Sequence, residues 1–154
     1  MIWTPHATVA TIVEHDNSFL MVEELSEGHR VFNQPAGHVD ADESIFAAAV
    51  RETMEETGWQ VRLEKFVGTY IYQAPSNGVT YYRFCFSAVG ERQVSTTLDE
   101  GILAAHWLSL EEIHHKGDAL RSPLVLRCLH DYKHRPLLPL DYIYEHGFSK
   151  PNTG

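Results

Sequence analysis

Gly37-His38-Val39-Asp40-Ala41-Asp42-Glu43 and, seven residues further on, Arg51-Glu52-Thr53-Met54-Glu55-Glu56-Thr57-Gly58-Trp59 decide how this chain is read. Residues 44–57 include Ala47, Ala48 and Ala49, contain no Gly or Pro, and end at Gly58. That pattern predicts a helix over 44–57 with Gly58 as its stop. At about 100° per residue, Glu52, Glu55 and Glu56 share an arc of about 100°. Phe46, Val50, Thr53, Met54 and Thr57 form a neighbouring stripe suited to packing on a sheet.

Three carboxylates on one turn repel one another. Glu52 and Glu56 stand at i,i+4, where like charges weaken a helix by about 0.2–0.5 kcal/mol. Helix geometry gives a cation partner, Arg51, to Glu55 alone, and carboxylates near a helix C-terminus oppose the macrodipole. A solvated acidic face is the plain reading of such a cluster. A bound cation is the other reading, and hard carboxylate oxygens suit magnesium, manganese or calcium rather than zinc.

Outward from this helix, the chain opens with β-prone runs at 7–13 and 19–22 around the polar turn His15-Asp16-Asn17-Ser18, which reads as a hairpin. Val31-Phe32 is a third extended piece. Pro35 and Gly37 then make Asn33-Gln34-Pro35-Ala36-Gly37 a constrained loop. Strands are expected at 61–72 and 81–89 around Ala74-Pro75-Ser76-Asn77-Gly78, and at 104–108. Ser109 and Glu112 form a capping box, and Ser122-Pro123 opens a helix over 124–133. Helices between and after strands indicate an α/β fold with a mixed sandwich architecture.

The 154 residues fit one domain, 1–154, with 135–154 as an extension that wraps the surface or frays. A net charge of −9 argues against a broad grip on nucleic acid polymers, since such binding needs clustered Lys and Arg. Any phosphate ligand must be met locally, as a small molecule. No apolar run approaches the roughly 18 residues of a membrane span. Two cysteines without a CxxC pair suit a reducing, cytoplasmic setting.

Gly37, Glu43, Arg51-Glu52, Glu55-Glu56 and Gly58 together resemble the Nudix box: a glycine, five residues, Glu, seven residues, Arg-Glu, then Glu-Glu-x-Gly. Thr53 and Trp59 depart from it, standing where aliphatic residues are usual. The resemblance implies a Nudix-type α/β/α sandwich with a mixed β-sheet and hydrolysis of diphosphate linkages with Mg2+, Mn2+ being a possible substitute. It further implies that Glu52, Glu55 and Glu56 are metal ligands, that the Gly37 carbonyl is another, that Arg51 orients the glutamates, and that Glu43 supports the loop. Pro5-His6-x-Thr8-Val9-Ala10, Asn33 to His38 and Arg121 to Val125 are similar to a bacterial phosphatase group within that family. That similarity implies action on nucleoside tri- and diphosphates and on hydroxymethylpyrimidine diphosphate.

Glu100 resembles the additional loop carboxylate of many Nudix enzymes, and either Glu55 or Glu100 would take a proton from the attacking water. A solvated turn acid is the competing reading of Glu100. Phe32 and Tyr72 are candidates to stack on a substrate ring, core packing being the alternative. Arg83 faces away from Phe84 and Phe86 and is a candidate for a phosphate, or for a surface salt bridge. Cys85 and Cys128 read as small buried hydrophobes, and most of the ten histidines as scattered surface residues, with His38 inside the metal loop the exception worth testing. The rival functions are a ligand-sensing domain without catalysis, turnover of another organic diphosphate, and prenyl diphosphate isomerisation, which needs a reactive cysteine by the metal. A monomer or small homo-oligomer is expected.

Overall fold

The computed structural model describes residues 1–148. In chain order the strands are β1 (His6–His15), β2 (Ser18–Ser26), β3 (His29–Asn33), β4 (Ala36–His38), β5 (Trp59–Gln73), β6 (Thr80–Gln93) and β7 (Ile102–Ser109). The helices are α1 (Ile45–Thr57), α2 (Leu110–His115) and α3 (Leu124–His134). The sheet runs β3-β2-β1-β6-β5, with β4 added to β1 and β7 to β2. β1 and β6 pair parallel, while the other strand pairs are antiparallel, so the sheet is mixed.

Alternation along the central strands sends side chains to two cores. Val9, Val13, Leu20, Phe86 and Ala88 meet Phe46, Ala48 and Ala49 of α1 on one face. Ala10, Ile12, Phe19, Met21 and Cys85 meet Ile113 of α2 and Val125, Cys128 and Leu129 of α3 on the other. The result is an α/β/α sandwich. None of the helices among the described residues is long and apolar enough to cross a membrane.

The β1–β2 hairpin turns through Asp16 and Asn17, both at positive φ, the backbone that a two-residue turn between twisted strands requires. The strands run past their expected bounds at both ends, β5 and β6 because they support each other over a long ladder. Ala36–His38, expected as loop, is strand β4: its backbone pairs with Thr8, Val9 and Ala10 of β1, a partner remote in sequence. The tail wraps the surface as far as residue 148, and 149–154 lie outside the described residues. Leu138 exchanges backbone hydrogen bonds of 2.8 and 3.0 Å with Phe66, and Leu140 and Ile143 pack on the α1-side core. Glu145 then reaches the start of α1, where its carboxylate accepts from Ser44 Oγ at 2.6 Å and from the Ile45 N–H at 2.9 Å.

Candidate active site

Helix α1 begins at Ser44, whose hydroxyl accepts the Phe46 N–H, and ends at Gly58, whose φ of 76° suits glycine. Thr53 is fully buried, and its hydroxyl donates to the Ala49 carbonyl at 2.8 Å. Its polar atom is thereby satisfied where an aliphatic residue is usual. Trp59 packs edge-on against Trp107 at 5.5 Å.

Arg51 is the hub of the acidic face. Its guanidinium donates to both oxygens of Glu43 at 2.7 and 3.0 Å, to Glu52 at 2.9 Å, to Glu55 at 3.1 Å and to the His38 carbonyl at 3.1 Å. The expectation that Glu55 alone has this cation as partner is corrected, because the guanidinium fork reaches Glu43 and Glu52 as well. The Arg51 hydrogen bonds draw the Glu43 pKa below the usual carboxylate range. Burial pushes Glu52 upward, against the pull of Arg51 and with the push of Glu55 and Asp99.

Glu56 is different. It is 8% exposed, accepts the Ala36 N–H at 2.8 Å and has no cation partner among the described residues. Burial is the main cause that raises its pKa to about 8, and the charges of Glu24, Glu52 and Asp99 add to it. Gly37 supplies the remaining wall. A Cβ there would overlap the Glu52 carboxylate, so only glycine lets that carboxylate lie on the β4 backbone.

Gly37 and Glu56 open onto a cavity of about 600 Å³, whose wall also includes Glu24, Asn33, His38, Tyr72, Arg83 and Arg121. Among the described residues no three His, Cys, Asp or Glu side chains form a ready-made metal cage. The carboxylates are instead spread along one edge, a donor set suited to a cation that keeps waters and shares ligands with a phosphate. The unpaired buried Glu56 and the glycine cradle at Glu52 fit such a cation.

Comparison with known proteins agrees with this arrangement. The NUDIX domain family matches residues 4–128. The chain is 39% identical over 144 residues to Phosphatase NudJ of Shigella boydii, and 38% identical over 144 residues to that of Escherichia coli K12, covering 92% of both chains in each case. A solved NUDIX hydrolase from Nitrosomonas europaea superimposes with a TM-score of 0.90 at 40% identity, covering 93% of this chain and 98% of the other. This chain is a Nudix hydrolase.

Around the Nudix box, the other expected site residues divide. Tyr72 and Arg83 lie on the cavity wall. Arg83 makes no surface salt bridge: it is 5% exposed and donates to Asn33 Oδ1 at 2.9 Å and Gln34 Oε1 at 3.3 Å. Phe32 does not join the wall. Along β3 the cavity is lined by Val31 and Asn33, and alternation turns Phe32 away, under Lys116 at 4.5 Å and beside His106. Asp99 and Glu100 are both exposed, and Asp99 is the one whose charge acts on Glu52 and Glu56. The Asp99 N–H donates to the Glu55 carbonyl at 3.0 Å, which pins this loop to the end of α1.

Glu24 escaped the sequence reading. It is buried on the cavity wall, acts electrostatically on Glu56 and pairs with Arg121. Nothing local in the sequence separates it from Glu23, whose partners are Arg30 and His106. Both cysteines are fully buried and neither lines the cavity, so no thiol stands at the Nudix box for isomerase chemistry.

Proposed function

We propose that the chain hydrolyses the diphosphate linkage of nucleoside tri- and diphosphates and of hydroxymethylpyrimidine diphosphate in a divalent-metal-dependent reaction, with Mg2+ preferred and Mn2+ as a substitute. The observation that carries this reading is the convergence of Glu52, Glu56 and Gly37 at the edge of the cavity, with Arg51 tying Glu52 and Glu55 together.

Glu52, Glu55, Glu56 and the Gly37 carbonyl would hold the metal. Bound there, Mg2+ would neutralise phosphate charge and lower the pKa of a coordinated water. Arg51 keeps Glu52 and Glu55 in register while its own charge offsets their repulsion. Of the three glutamates bonded to Arg51, Glu55 is the most solvent-open, with 37% of its side chain exposed, and it accepts the proton from attacking water. Asp99, fixed to the same turn through its backbone, is the accessory acid in place of Glu100. Tyr72 offers a face on which the organic group of the substrate stacks. Phosphoryl transfer asks chiefly for positioning and charge neutralisation, which a cluster of acids around cations provides without a covalent nucleophile.

Naming of the relatives as Phosphatase NudJ supports phosphate release as the reaction. The test is phosphate release with Mg2+ over a panel of nucleoside di- and triphosphates, dinucleotides, nucleotide sugars and thiamine-pathway diphosphates. Nucleoside tri- and diphosphates and hydroxymethylpyrimidine diphosphate are expected to lead. A chain that releases phosphate from none of the panel would overturn the proposal.

A further inference from the structure

We propose that Asn33 is a specificity-determining residue whose side-chain N–H reads a hydrogen-bond acceptor on a heteroaromatic ring of the substrate, with Arg83 as the residue that positions it. This rests on the reading of the cavity as the substrate site.

The polarity of the cavity floor is set by a chain of buried groups. Arg83, Asn33 and Gln34 are 5%, 8% and 1% exposed. Gln34 Nε2 donates to the Val125 carbonyl of α3 at 2.8 Å, so its Oε1 is turned to Arg83. The Arg83 guanidinium has donors only, so the group that Asn33 turns to it must be Oδ1, at 2.9 Å. The opposite orientation would set an amide N–H against a guanidinium N–H. Asn33 Nδ2 is therefore directed away from Arg83.

That nitrogen has no hydrogen-bond partner among the described residues, yet it is not sealed in. Thr11 Oγ1 is the only buried side-chain N or O atom there without a partner. Asn33 lines the cavity, and its open donor faces that space. Arg83 carries a buried positive charge with no carboxylate partner among the described residues. By drawing on Asn33 Oδ1 it polarises the amide and strengthens the outward N–H donor.

The position of this donor favours the organic end of the substrate over its phosphates. Glu56 and the Nudix-box acids arrive from α1 on one face of the sheet, whereas Gln34 and Arg83 lean on Val125 and Cys128 of α3 on the other. A substrate with its diphosphate on the acids lays its ring toward α3, between Tyr72 and Leu124 of the same wall. A neutral amide suits a neutral acceptor, such as a ring nitrogen or an exocyclic carbonyl oxygen.

Asn33→Asp tests this, since it keeps an oxygen for Arg83 and replaces the outward donor with an acceptor. Steady-state kinetics on uridine, cytidine and adenosine diphosphates are compared with phenyl diphosphate, whose ring carries no acceptor. For the best nucleotide, the kcat/KM preference over phenyl diphosphate is expected to fall about 10- to 100-fold, carried by KM rather than kcat. Asn33→Ser, neutral and without the outward N–H, is expected to move the preference in the same direction and excludes simple charge repulsion. Arg83→Lys is expected to weaken the preference through KM with a smaller change in kcat.

Calorimetric titration of the free nucleosides needs no turnover and separates this inference from the proposed hydrolysis. The tightest nucleoside is expected to bind Asn33→Asp about 10-fold or more weakly than the unmodified chain. An unchanged preference, with both substrates slowed equally or neither slowed, overturns the inference. So does equal nucleoside affinity in the two proteins, or no nucleoside binding to either. Absence of any diphosphate turnover would instead overturn the proposed function.

Discussion

Glu56→Gln is the substitution whose consequences the structure defines most sharply. Gln keeps an oxygen for the Ala36 N–H at 2.8 Å but removes the charge. Burial raises the carboxyl from its ordinary 4.5 to about 8, so the folded chain holds this proton more tightly than the unfolded chain does. The sign follows from linkage: the metal-free fold loses stability as pH rises from about 4.5 to about 8, where the unfolded carboxyl has ionised and the folded one has not. At pH 7 about 2.5 units of that interval have been crossed, which at about 1.4 kcal/mol each costs the wild type about 3 kcal/mol. Gln escapes this cost. In chelator at pH 7 the variant is expected to melt higher by about 6–12 °C, taking about 2–4 °C per kcal/mol for a chain of this size. At pH 4 the two should melt together. With saturating Mg2+ the variant is nevertheless expected to lose about 100-fold or more in kcat, because a ligand of the proposed metal is gone. Thermal unfolding in EDTA from pH 4 to 9, beside kcat in Mg2+, reads both effects. A melting difference independent of pH would refute the buried-carboxyl argument, and wild-type kcat would refute the metal role.

Gly37→Ala should displace the flexible end of the Glu52 side chain, leaving stability within about 1 kcal/mol but lowering kcat about 10-fold or more, as unfolding and kinetics will show. Asp99→Asn is expected to reduce kcat about 10-fold or more while Glu100→Gln stays within about 2-fold, because only Asp99 acts on the glutamates; the reverse order would restore Glu100 to the site. Glu145→Ala removes two hydrogen bonds at the start of α1 and should cost about 1–2 kcal/mol in urea unfolding.

What the sequence revealed, and what it hid, follows from the range of the interactions concerned. Helix α1 was legible because Ser44, Gly58 and the alanine run are local signals, and the structure starts it one residue after the cap. The shared face of Glu52, Glu55 and Glu56 follows from helical spacing alone. Strand β4 was hidden because three residues after a proline carry no pattern of their own, and β1 supplies their partner. Phe32 lies one residue off the cavity wall, which takes Val31 and Asn33 from β3, and it is the backbone of Asp99, the neighbour of Glu100, that is tied to the end of α1. Phase along a short strand or loop is set by tertiary packing. Glu145 caps a helix 101 residues earlier in the chain, a contact that no local rule detects.

Phosphate release from a nucleoside diphosphate by the full chain tests divalent-metal-dependent hydrolysis at the Nudix-box glutamates most directly. Wild type is expected to turn over with Mg2+, to stop in excess EDTA, and to recover when Mg2+ or Mn2+ is restored but far less with Zn2+. The triple substitution Glu52→Gln, Glu55→Gln, Glu56→Gln is expected to stay inactive throughout. Full turnover in chelator, or by the triple variant, would contradict the account.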